Sequence, residues 1–376
     1  MATRTHRLSK SRFVAGLQCH RLLWWRSHDR GAAELVPDAS LQARFDGGNE
    51  VGALAREQFP GGVLMPEAHI DFAATLIATR EAIARGERVI YEAAFEAEGV
   101  FAAVDVLHRD GEAWTLTEVK ASTSSKTEHV HDAAVQTFVL RACGLDVQRI
   151  EIMHLNRECA FPDLSNLFAR DDVTAQVEAF LPQVPTLVAA QLEMLDGPLP
   201  SAAIGAHCNA PYECPFQNRC WVDVPEHHVS ELYWSGRKAW DHVAAGIDTV
   251  DQLPESALNT AIARRQVEAV RTGKRIVVPG ICAKLDAFAE PVAVLDFETI
   301  QLAVPQFAGC HPYAQLPVQF SVQRRGRSGA WEEFGYLAER GGDPRPELAK
   351  ALVQAVEGAA TVLAYNMSFE KGVIVA

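Results

Sequence analysis

The sequence predicts an α/β protein in which two α/β units are joined by a helical segment. Two groups of strand-like segments, within residues 89–155 and 292–365, are each accompanied by segments with helical spacing. Residues 229–273, between the two groups, have mostly helical spacing. The length of 376 residues and the 48% hydrophobic composition suit two or three domains and exclude global disorder.

In the N-terminal part, apolar residues recur at helical intervals before any strand begins. The helices predicted there cover residues 8–26, 46–58 and 69–85. The period of the pattern then changes to two, which predicts strands over residues 89–95, 99–107 and 113–120. His108-Arg109-Asp110-Gly111 predicts a hairpin turn between the last two strands. A helix over residues 130–142 and a strand over 149–155 complete this unit.

The downstream part begins with a helical segment over 172–195, interrupted by Pro182 and Pro185, and a loop over 198–224. Within the following helical stretch, Gly246-Ile247-Asp248-Thr249-Val250 resembles the hairpin of a helix-hairpin-helix DNA-binding motif, with a plain helical linker as the alternative. The last predicted elements are strands over 292–297, 318–323, 332–337 and 361–365 and a helix over 346–356.

The net charge of −13 argues against a protein that coats nucleic acid non-specifically. It does not exclude an enzyme that acts on nucleic acid, because the first 30 residues carry seven basic residues against a single acidic one. Candidate phosphate contacts there are Arg7, Lys10, Arg12 and Arg21, with a solvated basic arm as the alternative. No apolar run suits a membrane helix and the N-terminus does not resemble a secretory signal, so we expect a cytoplasmic protein without a membrane partner.

Two carboxylates and an ammonium are predicted to share one face of the hairpin. Glu118 and Lys120 are two residues apart on a strand and therefore point to the same side. If the hairpin turns at Asp110-Gly111, Asp105 lies diagonal to Glu118. If it turns at Gly111-Glu112, the two carboxylates lie directly opposite each other. Because adjacent carboxylates repel, either register favours a hard cation such as Mg²⁺ or Mn²⁺, and a salt bridge on an exposed strand is the alternative.

This order of residues resembles the PD-(D/E)XK nuclease superfamily, specifically RecB-like nucleases and the iron–sulfur exonucleases of CRISPR adaptation. The resemblance covers residues 8–222 and implies a restriction-endonuclease-like core with helical additions. The site residues it implies are Asp105, Glu118, Lys120, Gln136 and Glu50. The two strand carboxylates would bind the metal with help from the acid on the preceding helix. The lysine would be the catalytic cation, and the glutamine would position the metal ligands or the DNA.

That family often has a tyrosine shortly after the glutamine, whereas this chain has Thr137-Phe138. Two histidines near the glutamine, His129 and His131, are expected at the surface.

Eight cysteines without a secretory signal argue against a disulfide framework, and three of them fall within one loop. The three soft ligands of that loop are Cys208, Cys214 and Cys220. Iron–sulfur members of the resembled family place one cysteine before the nuclease core and three after it, which implies that Cys19 completes a [4Fe–4S] site. Structural zinc, with His207 as a further candidate ligand, and unliganded thiols are the alternatives. The other cysteines, Cys143, Cys159, Cys282 and Cys310, are expected to be buried small hydrophobic residues.

A second pair of carboxylates, Asp296 and Glu298, shares one face of a strand in the C-terminal unit. Leu295-Asp296-Phe297-Glu298-Thr299 resembles the first motif of DnaQ-like (DEDD) exonucleases, which have an RNase H-like fold and bind two metal ions through carboxylates. Asn366-Met367-Ser368-Phe369-Glu370 resembles the second motif, with Glu370 in place of an aspartate as a metal ligand. The third motif has no room before the chain end, so we expect a partial domain with weak or no catalysis. A buried strand that ends in a carboxylate is the alternative.

Together these patterns predict a metal-dependent nuclease that hydrolyses DNA, as an exonuclease on single-stranded ends. The predicted domains are the nuclease with its cluster over residues 1–224, the helical linker over 225–290 and the partial exonuclease-like domain over 291–376. Two alternatives stay open. One is a non-catalytic iron–sulfur scaffold that binds DNA during repair, and the other is a structural zinc protein whose carboxylate patches are coincidental.

Overall fold

The structure, a computed structural model, describes residues 6–109, 111–233, 236, 238–325, 329–339 and 341–375. The chain divides into two compact units, of which the first comprises Met1–His154 and Phe168–Ile276 and the second Leu155–Leu167 and Val277–Ala376. Each unit contains a β-sheet and helices, which confirms the α/β class predicted from the sequence. The assignment of the units to particular nuclease folds stays a prediction.

The first unit contains both the hairpin carboxylates and the cysteine loop. Its strands are β1 (Leu8–Ser9), β2 (Val63–Leu64), β3 (Val89–Ala97), β4 (Val100–Arg109), β5 (Trp114–Lys120), β6 (Val147–Leu155) and β7 (Phe168–Asp172). Its helices are α1 (Lys10–Gln18), α2 (His20–His28), α3 (Ala39–Arg56), α4 (Phe72–Ala84), α5 (Thr127–Ala142), α6 (Thr174–Phe180), α7 (Val184–Leu195), α8 (Gln217–Cys220), α9 (Lys238–Ala244) and α10 (Ala261–Thr272).

The first predicted helix, over residues 8–26, is in fact two helices that meet at Cys19. The backbone of Cys19 is extended, with φ −163° and ψ 128°, so the chain leaves α1 at this residue and restarts as α2. The side chain of Ser9 accepts a hydrogen bond from the Arg12 N–H and caps the start of α1. The candidate cluster ligand Cys19 therefore follows directly after α1, which begins at Lys10.

In the described part of the chain, seven strands form the sheet of this unit, in the order β2-β3-β4-β5-β6-β7 with β1 beside β4. One edge of β4 is shared by two partners, because β1 pairs with Val100 and Phe101 whereas β5 pairs from Val106 onward. Since α1 follows β1 directly, Lys10 is brought to the part of β4 that lies between the two partners. Asp105 lies in that part.

The hairpin of β4 and β5 has the second of the two predicted registers. Val106 pairs with Thr117, so one further step places Asp105 opposite Glu118. Asp110, in the predicted turn, lies outside the described residues.

Helices cover both faces of this sheet. On one face, α1 and α5 contribute Phe13 and Val139 to the main hydrophobic core. On the other face, α3 contributes Ala55, which packs with Tyr91 and Val106. The strands that carry the carboxylates, β4 and β5, therefore lie in the middle of the sheet with helices packed on both of its faces.

The regular alternation of β3 is interrupted at Glu92, which has a left-handed backbone with φ 58°. Ile90 and Ala93 both belong to the main core, although residues three apart on a regular strand face opposite sides. The register between β3 and β4 leaves Glu92 opposite Asp105. A left-handed conformation costs about 1–3 kcal/mol for a residue other than glycine, and such strain tends to be kept at functional sites.

Residues 225–276 contain less helix than the sequence predicts. Besides α9 and α10, the segment has short 3₁₀ turns at Val229–Glu231, Val250–Gln252 and Glu255–Ala257. At the stretch that resembles a helix-hairpin-helix motif, α9 ends at Ala244 and Gly246 turns the chain with φ 79°. A 3₁₀ turn capped by Thr249 follows in place of a second α-helix.

The second unit contains the other carboxylate pair. Its elements are α11 (Ile281–Asp286), β8 (Val292–Gln301), β9 (Gln315–Arg325), β10 (Trp331–Leu337), α12 (Arg345–Val356), β11 (Thr361–Leu363) and α13 (Met367–Val375). The strand order is β10-β9-β8-β11, with β11 parallel to β8 and the other pairs antiparallel. Leu295, Phe320 and Leu348 lie in its core. No helix within the described ranges of the whole chain is long and apolar enough to span a membrane.

Candidate functional site

Asp105 and Glu118, which we call the carboxylate pair, meet at the edge of β4 with an ammonium group between them. The Lys10 Nζ lies 3.0 Å from Glu118 Oε1, 3.1 Å from Glu118 Oε2 and 3.3 Å from Asp105 Oδ1. The Val119 N–H donates to Asp105 Oδ2 at 2.7 Å. Lys10, predicted only as one of several phosphate contacts, thus bridges the two predicted metal ligands.

Lys120 and Gln136 hold the carboxylate of Glu118 from the side of α5. The side chain of Glu118 is 1% exposed, and its Oε1 accepts from Lys120 Nζ at 2.7 Å. Its Oε2 accepts from Gln136 Nε2, also at 2.7 Å. The structure therefore brings together four of the five residues implied by the resemblance to PD-(D/E)XK nucleases.

Asp132 belongs to the same network and is missing from the sequence prediction. Its carboxylate accepts from Lys120 Nζ at 2.5 Å and from Gln136 Nε2 at 3.3 Å. Residues four apart on a helix lie on the same face, so the spacing of Asp132 and Gln136 on α5 is the signal that could have identified it.

The two members of the carboxylate pair differ in their affinity for a proton. Burial, followed by the charge of Glu118, raises the pKa of Asp105 to about 6. Burial alone would raise the pKa of Glu118. The ammonium groups of Lys10 and Lys120 lower it by more, so the pKa of Glu118 lies below its usual value. Burial alone would lower the pKa of Lys120. The carboxylates around it raise that pKa by more, so it stays above its ordinary value. Glu118 is thus the firmly ionised member of the pair.

A cavity of about 1130 Å³ opens beside the carboxylate pair and is lined by Lys10 and Asp105. Other lining residues include Arg7, Asn49, Arg56, Phe72, Glu92 and Phe101. The rings of Phe72 and Phe101 lie 5.0 Å apart, so the cavity offers aromatic surface as well as charge. These are the two kinds of group with which proteins bind single-stranded nucleic acid.

The helical acid implied by the resemblance, Glu50, is exposed on α3 and is absent from the lining of the cavity, to which its neighbour Asn49 contributes. Glu92 does line the cavity, and burial followed by the charge of Asp105 raises its pKa to about 7. The charges of Lys10 and Arg56 oppose this rise, and Arg56 Nη1 lies 3.8 Å from the carboxylate of Glu92. The only sequence signal for Glu92 is a charged residue within the otherwise apolar strand predicted over residues 89–95.

The other basic residues and the histidines singled out from the sequence lie in different surroundings from one another. Arg12 donates to the backbone carbonyl of Arg7 at 3.3 Å, whereas Arg21 lies beside the cysteines. The expectation that His129 lies at the surface is wrong, because it is 5% exposed and burial lowers its pKa to about 4. His131 is partly exposed and lies against Phe180, with ring centroids 4.3 Å apart.

The four cysteines implied as cluster ligands line one small cavity, which we call the cysteine site: Cys19, Cys208, Cys214 and Cys220. Gln18 fixes the loop to the end of α1, because its Nε2 donates to the backbone carbonyls of His207 and Tyr212 at 2.7 Å each. Arg219 ties the same loop to Asp29 at 2.8 Å and to Glu34 at 2.7 Å. In the described ranges, no group of three or more His, Cys, Asp or Glu side chains is arranged to hold a metal ion.

Two buried guanidinium nitrogens adjoin the cysteine site without a hydrogen-bond partner among the described residues. They are the Nε atoms of Arg21 and Arg26. Arg21 lines the site, and Arg26 interacts electrostatically with Cys214. Buried donors without acceptors are rare, so this arrangement is suited to an anionic group among the cysteines.

The other four cysteines are only partly as expected. Cys159 is buried and Cys310 is partly exposed. The prediction of burial is wrong for Cys143 and Cys282, which are both exposed. Burial of small thiols is a statistical tendency, and these two lie at the end of α5 and on α11, where no core covers them.

In the second unit, Asp296 and Glu298 are exposed on one face of β8. Glu370 of α13 is 4% exposed, and its Oε2 has no hydrogen-bond partner among the described residues. Burial raises the pKa of Glu370, and the charges of Asp296 and Glu298 raise it further. The three carboxyl groups predicted as metal ligands therefore lie within electrostatic reach of one another.

Comparisons with known proteins assign no activity to the chain. Residues 293–376 match the model of a family described as a domain of unknown function (DUF2779). No curated protein matches the sequence. A solved structure titled "Crystal structure of SSO0001" aligns with 58% of this chain and 88% of its own, at 13% sequence identity and a TM-score of 0.26. Similarity at that level does not establish a shared fold.

Proposed function

We propose that the protein is a metal-dependent nuclease that hydrolyses phosphodiester bonds of DNA at single-stranded ends. The observation that carries this proposal is the carboxylate pair, bridged by an ammonium group at the edge of a large cavity. A cation already lies between the two carboxylates, in the form of the Lys10 ammonium. The pair is therefore suited to binding positive charge.

The residues that would hold a Mg²⁺ or Mn²⁺ ion are Asp105 and Glu118. These ions are commonly bound by one or two carboxylates, while water and substrate phosphate fill the other positions, so a third protein carboxylate is not required. When bound, such an ion polarises the phosphate and lowers the pKa of water. Lys120, Gln136 and Asp132 keep the carboxylate of Glu118 in a fixed orientation.

The reaction consumes one water molecule for each bond cleaved. The water oxygen forms a new bond to phosphorus, and the bond from phosphorus to the leaving oxygen breaks with its electron pair. The leaving oxygen takes up one proton, and the second water proton goes to solvent at neutral pH. Negative charge grows on the phosphate oxygens during this step, and the cations beside the cavity favour it.

The cavity suits a single strand better than a duplex. Phe72 and Phe101 offer aromatic faces for unpaired bases, while Arg7 and Arg56 offer charge for the backbone phosphates. A base within a duplex is already stacked and paired, and exposing it costs a few kcal/mol. The aromatic pair therefore favours an unpaired end as substrate.

We expect Asp105→Asn to slow cleavage of end-labelled single-stranded DNA in Mn²⁺ by about 100-fold or more, because one metal ligand is lost. The exposed Asp251 supplies the control, since Asp251→Asn makes the same chemical change away from the cavity. The protein is purified without oxygen to protect a cluster. If neither wild type nor variant cuts although both are folded, the nuclease proposal fails in favour of a DNA-binding scaffold.

For the cysteine site we propose a [4Fe–4S] cluster held by Cys19, Cys208, Cys214 and Cys220. A cluster bound by four thiolates is anionic, which suits the unpartnered Nε atoms of Arg21 and Arg26. The four thiolates would hold the cluster together, whereas a single Zn²⁺ ion would need all four sulfurs within Zn–S bonding distance of about 2.3 Å. The supporting geometry is that all four cysteines line the same small cavity.

We also propose a cation site in the second unit, formed by Asp296, Glu298 and Glu370. The supporting observation is the buried Glu370 Oε2, which has no hydrogen-bond partner among the described residues. A cation near Asp296 would compensate that oxygen, since a buried carboxylate oxygen without a partner is costly. Such a site fits the resemblance to DnaQ-like exonucleases.

We expect Glu370→Gln to remove one class of Mn²⁺ binding from a calorimetric titration and to leave cleavage by the first unit unchanged. Glu347→Gln is the matched control, because Glu347 is exposed on α12. An identical number of bound ions in Glu370→Gln and wild type would rule out this second site.

A further inference from the structure

Two lysines touch Glu118, and they differ in what else they contact. Lys120 is also paired with Asp132 through a 2.5 Å contact. Among the described residues, the carboxylate pair supplies the only anionic groups within salt-bridge distance of Lys10. Lys10 lines the cavity, whereas Lys120 lies on the side of α5.

A divalent cation at the carboxylate pair would affect the two lysines unequally. It would take over the oxygens that Lys10 contacts on Asp105 and Glu118, and its charge would repel the ammonium group. Lys120 would keep its ion pair with Asp132. Lys10 would then be a cation without a partner beside a cavity, with a long flexible side chain that can reach a new anion.

We propose that Lys10 exchanges partners during the reaction: it bridges the carboxylate pair in the metal-free protein and contacts the substrate phosphate once metal has replaced it. The inference rests on the proposed nuclease function. It makes Lys10 the lysine that touches the reacting phosphate, and Lys120 a positioning residue for Glu118. This assignment differs from the one implied by the sequence resemblance, in which Lys120 is the catalytic cation.

The position of Lys10 follows from the chain path. β1 pairs with the start of β4, and Lys10 is the first residue of the helix that follows. Gln191 Nε2 donates to the backbone carbonyl of Phe13 at 3.1 Å, which fixes α1 against α7. The backbone of Lys10 is therefore anchored, and the exchange of partners needs only a movement of the side chain.

The test measures Mn²⁺ affinity and cleavage separately in Lys10→Met. Because the variant lacks the competing ammonium, we expect it to bind Mn²⁺ about tenfold more tightly at the carboxylate pair. At saturating Mn²⁺ we expect it to cleave single-stranded DNA about 100-fold more slowly, because a cation is missing from the charged transition state. The relevant binding event is the one that Asp105→Asn abolishes.

Two further variants complete the test. Lys10→Arg keeps the charge, and we expect its Mn²⁺ affinity to stay within about threefold of wild type. Lys274→Met removes an exposed lysine far along the chain and should change neither quantity. If Lys10→Met does not fold, Lys10→Gln provides the same comparison with a side chain that still donates to the carboxylates.

The outcomes separate this inference from the proposed function. Weaker or unchanged Mn²⁺ binding by Lys10→Met would overturn the exchange of partners, because Lys10 would then only stabilise the folded site. Cleavage at the wild-type rate would overturn its contact with the phosphate. If wild type itself shows no Mn²⁺-dependent cleavage, the proposed function fails and the inference fails with it.

Discussion

Glu118→Gln is expected to lower the free energy of unfolding by about 3 kcal/mol, a much larger change than Asp105→Asn should cause. The carboxylate of Glu118 is almost fully buried and accepts from Lys10, Lys120 and Gln136. A glutamine there leaves two ammonium groups competing for the remaining carboxylates. Breaking a buried ion pair on one side is strongly destabilising for this reason.

Asp105→Asn should leave the stability at pH 7 unchanged or raise it by about 1 kcal/mol. The pKa of Asp105 is raised to about 6, so the folded state disfavours the ionised form relative to the unfolded chain. Between about pH 4 and 6 the folded protein retains a proton that the unfolded chain has lost, and stability falls as the pH rises through this window. A neutral asparagine removes this penalty and can still accept from the Val119 N–H.

Urea unfolding at pH 7 without divalent metal ions measures both variants. Glu67→Gln serves as the control, since Glu67 is exposed and the change in charge is the same. Equal losses of stability in Glu118→Gln and Asp105→Asn would contradict the opposite pKa shifts described for the pair. The measurement depends on the electrostatics of the site and is independent of any nuclease activity.

The parts of the site that are close in sequence could be predicted, because strand and helix periods determine which residues share a face. Glu118 and Lys120 lie on one strand, and the hairpin brings Asp105 to them once its register is known. The sequence leaves the register open, since a turn at Asp110-Gly111 and a turn at Gly111-Glu112 are both compatible with it. Only the observed pairing of Val106 with Thr117 decides between them.

The parts that the sequence did not predict depend on long-range pairing. Lys10 is 95 residues from Asp105 and 108 from Glu118, and it reaches them only because β1 joins the edge of β4. Glu92 faces the cavity because its backbone is left-handed, which no period-two pattern anticipates. Glu50 is the opposite case. The sequence resemblance implies it as a site residue, but the structure leaves it exposed on α3.

The cysteine site leads to the second large prediction, which concerns iron. Wild type purified without oxygen should be brown, absorb near about 400 nm and contain about four iron atoms per chain. Cys214→Ser should lose both the colour and the iron, because three thiolates and a serine hold a four-iron cluster poorly. Cys143→Ser should keep both, since Cys143 is an exposed cysteine on another part of the unit.

The loss of iron in Cys214→Ser should not unfold the first unit. Gln18 and Arg219 attach the cysteine loop to α1 and to the segment after α2 without any cluster. Phe216 is fully buried in a small core with Trp25 and Leu22, which adds apolar contacts to the same attachment. We therefore expect the circular dichroism spectrum of Cys214→Ser to retain its helix and strand signals.

Because Cys214→Ser is expected to stay folded, the iron measurement distinguishes a cluster from structural zinc and from unliganded thiols. Colourless wild type with one zinc ion per chain would replace the cluster by a structural zinc site, and Arg21 and Arg26 would then need another acceptor. Colourless wild type without metal would leave the buried Nε atoms of Arg21 and Arg26 without an acceptor among the described residues, which is costly. Brown wild type, colourless Cys214→Ser and brown Cys143→Ser together would assign the iron to these four cysteines, because a non-specific iron site would not distinguish the two variants.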